Sequence, residues 1–346
     1  SQLEFEKAEE VVRLLLEDCR RVVGDEHPTT SDALNLLGVS LRHQKKYDEA
    51  KKVLEESLRI EEQLYGSEHS SVSTPINNLA TLYQEIGDWR KSIELLERGL
   101  VLQQGVYGPE HADTLSIRHN IARAYLNLSE IETANAINEE VLEIRKRILG
   151  KTHSQTLKSM NLLAIGNSRL GNHEKALELH REVYEGKNAV YGATNSDTLT
   201  SKLDVMEELF HLSRFGEARK LYRELERESK ASLGPEHPDC IWKMIRYAQL
   251  MSDAGYHLIA ALKFREVVEL RFRSLGRTHP DTMNAMKDMA IIAGRLSPKH
   301  GNLVIFLLYW TEPARVRAIP SLGFQKAGET LAHWSVAGSS LITPQE

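Results

Sequence analysis

Six histidines, His27, His69, His111, His153, His237 and His279, fall on a 42-residue grid whose one other place is taken by Asn195. Imidazole is a metal ligand, a proton carrier or a hydrogen-bond partner. A shared ion needs its ligand nitrogens within about 2.1 Å, and copies one repeat apart are too distant for that. The expected role is structural, fixing an interhelix loop by hydrogen bonding and packing. The two cysteines, Cys19 and Cys240, lie in helical segments of different repeats, and neither sits in a motif that would lower a thiol pKa. No phosphate-binding loop, dinucleotide fingerprint, Gly-x-Ser-x-Gly elbow or His-Glu-x-x-His is present, so no catalytic residue, metal site or cofactor is expected.

The elements that carry these residues follow from the same grid. Gly24, Gly66, Gly108, Gly150, Gly192, Gly234 and Gly276 stand 42 residues apart, and a fixed period of this length marks a stack of identical supersecondary units. Counting each glycine as position 0, position 3 is the histidine and position 6 is usually Thr. The glycine reads as the left-handed cap of one helix and the His-Pro or Asp-Thr stretch as the start of the next. Position 14 is small in most units (Gly38, Ala80, Ala122, Ala164, Ala248, Ala290) beside a large apolar residue, and position 26 is small again (Ala50, Ser92, Ala134, Ala176, Ala218, Ala260). Small beside large lets two helices approach closely. Gly87, Gly171 and Gly255 at position 21 mark a turn between them. Each unit is therefore an antiparallel pair, helix A near positions 5–19 and helix B near 23–41.

Bulk properties narrow the partners. A formal net charge of −5 without a clustered basic footprint argues against nucleic acid. The strongest apolar run, Leu303 to Trp310, is far shorter than the ~20 residues a membrane-spanning helix needs. The cysteines are five repeats apart and cannot pair, which sets a reduced, cytoplasmic location as the expectation.

The phrases Gly234-Pro235-Glu236-His237-Pro238-Asp239 and Asn77-Asn78-Leu79-Ala80-Thr81-Leu82-Tyr83, spaced as they are, resemble the 42-residue tetratricopeptide repeats of kinesin light chains, which are similar to the arrays of STAND-type receptors. The resemblance covers about residues 1–297 and implies an all-α fold, a right-handed α-solenoid of helix-turn-helix repeats. In register, a partial repeat occupies residues 1–23, full repeats start at Gly24, Gly66, Gly108, Gly150, Gly192 and Gly234, and a partial one starts at Gly276. The match of Phe5 and Ala8 to Tyr47 and Ala50 opens the chain inside helix B of an earlier unit. In kinesin light chains a heptad-rich segment stands upstream; in the receptors an NTPase domain does.

The family resemblance also implies where a ligand lies. Helix A lines the concave face of such superhelices, and position 11 falls on it: Asn35, Asn77, His119 and Asn161, then Leu203, Ile245 and Lys287. An amide side chain can pair with both the C=O and N–H of an extended peptide. Arg42, Arg123 and Lys158 stand nearby and favour an acidic peptide. The implied function is a non-catalytic adaptor for a protein or short acidic peptide, as in kinesin light chains, with a ligand-sensing array of a STAND-type receptor as the alternative. The asparagines have a second reading, as hydrogen-bonding groups between neighbouring repeats. Loss of the polar ladder after the fourth unit, where Leu203, Phe210 and Ile245 appear, places polar binding in the amino-terminal half, or marks an apolar pocket. Oligomeric state stays open. After Ser297 the grid ends, and 298–346 reads as a non-repeat tail, either a cap over the last helix pair or an altered end.

Overall fold

The computed structural model describes residues 2–295, with side chains from residue 9; the tail assigned to 298–346 lies outside them. Among the described residues are fourteen α-helices in two compact units, one ending at Gly192 and one starting at Ala193. The first holds α1 (Gln2–Val23), α2 (Pro28–His43), α3 (Tyr47–Tyr65), α4 (Ser73–Ile86), α5 (Trp89–Tyr107), α6 (Ala112–Asn127), α7 (Ile131–Leu149), α8 (Ser154–Arg169) and α9 (His173–Tyr191). The second holds α10 (Ser196–His211), α11 (Phe215–Leu233), α12 (Pro238–Asp253), α13 (His257–Leu275) and α14 (Pro280–Gly294). Even-numbered helices are the A helices and occupy positions 4–19 in most units; the B helices α3, α5, α7, α9, α11 and α13 occupy 23–41. In each unit every helix packs on the next in sequence. No described helix is long and apolar enough to cross a membrane.

Each joint is made of local bonds. The grid histidine is the N-cap of helix A, except that His69 caps the short 3-10 turn Ser70–Val72 ahead of α4; the histidine Nδ1 accepts the backbone N–H two residues on, at 3.2 Å in His27, His153, His237 and His279. That accepting role leaves the imidazole proton on Nε2. Asn195 makes the same cap with Oδ1 at 2.9 Å, which is why it can stand in for histidine. The threonine at position 6 closes the loop from below: Thr30, Thr114 and Thr282 donate to the carbonyls of Gly24, Gly108 and Gly276 at 2.7, 2.9 and 2.9 Å.

The grid glycine differs from the expectation. Gly66, Gly108, Gly150, Gly192, Gly234 and Gly276 have φ of 83° to 90° with ψ of 152° to 171°, a region outside the left-handed helical well and open in practice to glycine alone. The left-handed cap belongs to position 21. Gly87 has φ 92° and ψ 7°, and at the same place Lys45, Ser129 and Ser213 carry φ of 62°, 64° and 58°. The residue after each donates back to position 17, as Asp88 to Tyr83 at 2.9 Å and Tyr256 to Met251 at 2.8 Å, which ends helix A in a Schellman turn.

The small positions lie at the closest helix approaches. Ala80, Ala122, Ala164, Ala248, Ala50, Ala176, Ala218 and Ala260 have no exposed surface. A methyl group on Gly38 would stand 2.4 Å from Leu54 Cγ. Leu16, Leu34, Leu37, Leu41, Leu54 and Ile60 form the core of the first helix pairs. In the second unit Tyr222 and Tyr247 stack with centroids 3.5 Å apart, and Phe210 meets Tyr247 edge-on at 6.1 Å.

Candidate functional site

Helix B covers one side of each A helix and leaves a stripe at positions 8, 12, 15 and 19. In the first unit it runs through Asp32, Leu36, Val39 and His43 on α2; Thr74, Asn78, Thr81 and Glu85 on α4; Ser116, Asn120, Arg123 and Asn127 on α6; and Lys158, Leu162, Ile165 and Arg169 on α8. Most of these side chains are exposed or half-buried, Leu162 being buried. The spacing 4, 3, 4 keeps one face of a 3.6-residue helix open along its whole length.

Position 11 flanks this stripe on the side of the neighbouring helices. Asn35 is buried, and its Oδ1 accepts Asn78 Nδ2 at 3.1 Å, a bond from one repeat to the next. Asn77 and Asn161 are half-buried, and in both the Oδ1 is shielded from solvent and has no hydrogen-bond partner. His119 shares a hydrogen bond with Asn138 Oδ1 at 3.3 Å, and Asn138 Nδ2 donates to the Ser159 carbonyl at 2.7 Å. Burial, followed by the charges of Arg145, Arg123 and Lys158, pulls the His119 pKa down to about 4, so the ring is neutral at pH 7.

The three cations divide in the same way. Arg42 is ion-paired with Glu85 of the next repeat. Arg123 is exposed and donates to the neutral amide of Gln84; desolvation lowers its pKa against the opposing pull of Glu85. Lys158 is exposed at position 8 of α8. Arg123, Lys158, Asn77 and Asn161 thus face or border open surface, while Asn35 and Arg42 are committed to the next repeat and His119 to helix B of its own.

Arg145 stands outside the residues that the repeat pattern singles out. It lies at position 37 of helix B and is 1% exposed. It donates to the Gln155 carbonyl at 3.1 Å, Ser159 Oγ at 2.8 Å and Ser116 Oγ at 3.3 Å, and burial lowers its pKa to about 10. The signal that could have found it is that position 37 is polar in every unit (Glu61, Gln103, Arg145, Lys187, Ser229, Arg271) although positions 33 and 41, one turn away on the same face, are mostly apolar. Arg271 repeats part of the pattern with a 2.6 Å bond to the Asp281 carbonyl.

The second unit has its own side chains at the stripe positions. In the second unit Leu203 and Phe210 are buried core residues, so the apolar change there belongs to packing and opens no pocket at those positions. Exposed Trp242 stands at position 8, and Arg246 at position 12 holds Glu207 at position 15 with two bonds of 2.6 and 3.0 Å. A recess of about 290 Å³ between α12 and α14 is lined by Arg246, Gln249, Asp253, Asp288, Ile291 and Arg295.

Neither thiol is set up as a nucleophile. Cys19 and Cys240 are free and buried, and burial raises the Cys240 pKa, the opposite of activation. No group of three or more His, Cys, Asp or Glu side chains that could hold a metal occurs among the described residues.

Known proteins agree with this architecture. The family model described as "Tetratricopeptide repeat" matches residues 2–63, 30–100, 71–147 and 113–189, more than half of the chain. No curated protein matches by sequence. Among solved structures, the putative kinesin light chain nearly identical TPR-like repeats of Podosopora anserina are 24% identical, with 59% of this chain and 97% of that one covered at a TM-score of 0.53. BtubC (BKLC) from P. vanneervenii is 17% identical over 66% and 91% at 0.57. A STAND protein with a tetratricopeptide repeat sensor from Pyrococcus horikoshii is 15% identical over 71% of this chain and 36% of that one, also at 0.57. Such likeness carries the fold alone. The matched sequence, the capped helix pairs and the shared fold together make this chain a member of the tetratricopeptide repeat family.

Proposed function

We propose that the chain is a non-catalytic adaptor whose A-helix stripe receives an extended, acidic peptide segment of a partner protein. The observation that carries this reading is the open A-helix stripe itself, with exposed Arg123 and Lys158 on it and the half-buried side chains of Asn77 and Asn161 bordering it two repeats apart. An amide side chain can pair with both the C=O and the N–H of an extended peptide. Arg123 and Lys158 add charge-assisted bonds to carboxylates, while Asn35, His119 and Arg42 hold their neighbours in place from within the repeat stack. Because the helices are already formed, little ordering cost falls on the protein when a peptide binds. The cytoplasm, where such adaptors meet their cargo, is the proposed location.

Selection of random peptides displayed on phage against the whole chain tests this directly. Enriched sequences should be rich in Asp and Glu and lose about tenfold or more in affinity against Asn77→Ala/Asn161→Ala, with unchanged helicity by circular dichroism. Equal affinity for the double variant would remove these residues from the groove. The sensor fold of the STAND protein supports a second reading, in which the same stripe reports a ligand to a nucleotide-binding domain. The parent open reading frame separates the two: a Walker-type loop points to the sensor, and a heptad-rich segment to the motor-type adaptor.

A further inference from the structure

The positive charge of the first unit is unevenly compensated. Arg42, Arg98, Arg118 and Arg147 are paired with Glu85, Glu62, Glu140 and Glu110. Four cations around α6 and α8 are not paired with any carboxylate among the described residues. Arg145 is fully buried against two serine hydroxyls and a carbonyl. Arg123 meets the Gln84 amide, Arg169 meets the Leu126 carbonyl at 2.7 Å, and Lys158 is exposed. Arg145, Arg123 and Lys158 all act on the His119 ring, whereas Arg169 lies at the other end of α8. Ser116, His119 and Arg123 follow one another at i, i+3 and i+7 on α6, which packs against α8. Lys158 immediately precedes Ser159, the hydroxyl bonded to Arg145.

We propose that this patch binds a phosphate monoester, presented as a phosphorylated side chain of the partner segment, with Arg123 and Lys158 contacting it and Arg145 supplying a fixed charge beneath. The proposal rests on the peptide-groove reading and names what that groove takes at its third and fourth repeats. A buried guanidinium satisfied only by neutral acceptors keeps its full charge in a poorly screened interior, so its field reaches the surface above it. Burial holds His119 neutral, and the charges of Arg145, Arg123 and Lys158 add to that effect. Excess charge of several units suits a dianion with three acceptor oxygens better than a single carboxylate. The carboxylate that comes near Arg123, Glu85, is itself paired with Arg42.

The test is phosphorus-31 NMR of N-acetyl-phosphoserine N-methylamide titrated with the full chain at about pH 7.5, where the phosphate is mostly a dianion. Saturable line broadening is expected, about tenfold weaker with Arg123→Gln/Lys158→Gln. It should be unchanged with Arg98→Gln/Arg147→Gln, which removes the same formal charge elsewhere. N-acetyl-glutamate N-methylamide should compete at least about tenfold more weakly. Absence of broadening, equal broadening by Arg123→Gln/Lys158→Gln, equal loss in the charge-matched control, or equal competition by the glutamate derivative would each overturn the proposal. Because the probe is a single residue, none of these results decides the peptide groove itself, which the Asn77→Ala/Asn161→Ala affinity measurement tests separately.

Discussion

Position 21 is left-handed in all six helix-A turns among the described residues, yet three of the six residues there are not glycine. Lys45, Ser129 and Ser213 each hold φ near 60°, a conformation that costs an L-residue roughly 1 kcal/mol or more. Ser129→Gly should therefore raise stability by about 0.5–1 kcal/mol even after glycine's larger unfolded-state entropy is counted, visible as a higher melting temperature. The reverse change at the joint, Gly150→Ala, puts a Cβ into a backbone region closed to it and should cost about 1–3 kcal/mol. His119 supplies a pH dependence. Its folded pKa of about 4 lies below the ordinary value of 6.5, so the unfolded chain takes up the proton first. Stability from this group is complete above pH 6.5 and is lost as pH falls through about 4. The full effect is on the order of 3 kcal/mol, and His119→Gln should flatten the acid branch of a stability-versus-pH curve measured by urea unfolding. The capping histidines could be read from the sequence because their grid spacing excludes a shared metal. The glycine's ψ could not, since glycine is at home in either positive-φ well.

At the scale of helices, the grid specified both ends of every pair, because each end is written in residues that have one good use: glycine after, histidine before, a small residue where two helices touch. That last signal has a measurable strength. Gly38→Ala should destabilise by about 1–3 kcal/mol through its clash with the fully buried Leu54. Leu54→Ala alone should cost about 2–5 kcal/mol, and the double variant less than the sum, since the new methyl enters the space the leucine leaves. Chemical denaturation of the four proteins closes the cycle. What the pattern did not give was which side of helix A stays open. Position 11 lies one residue short of the stripe at position 12, a rotation of about 100°, and this turns Asn35 from a surface group into an inter-repeat bond. Arg145 was hidden for a related reason: a guanidinium on a helix is ordinarily a surface residue, and only the packing shows that position 37 faces inward.

For the whole molecule, stability is distributed in nearest-neighbour terms and should fail locally. Phe264→Ala, which empties a fully buried site in the second unit, should cost about 3–5 kcal/mol. It should raise amide hydrogen exchange in α12–α14 while protection in α2–α4 stays as it was. Uniform loss of protection would show a single cooperative block instead. The joints have a consequence for how such a chain arises. Every bond that makes a joint, from histidine to the amide two residues on and from threonine to the glycine carbonyl six residues back, is closed within a few residues of one sequence. A stretch of gene copied in steps of one full period brings its own joint with it and needs no compensating change elsewhere. Unequal crossing-over can therefore lengthen or shorten this array without asking the protein to learn a new fold.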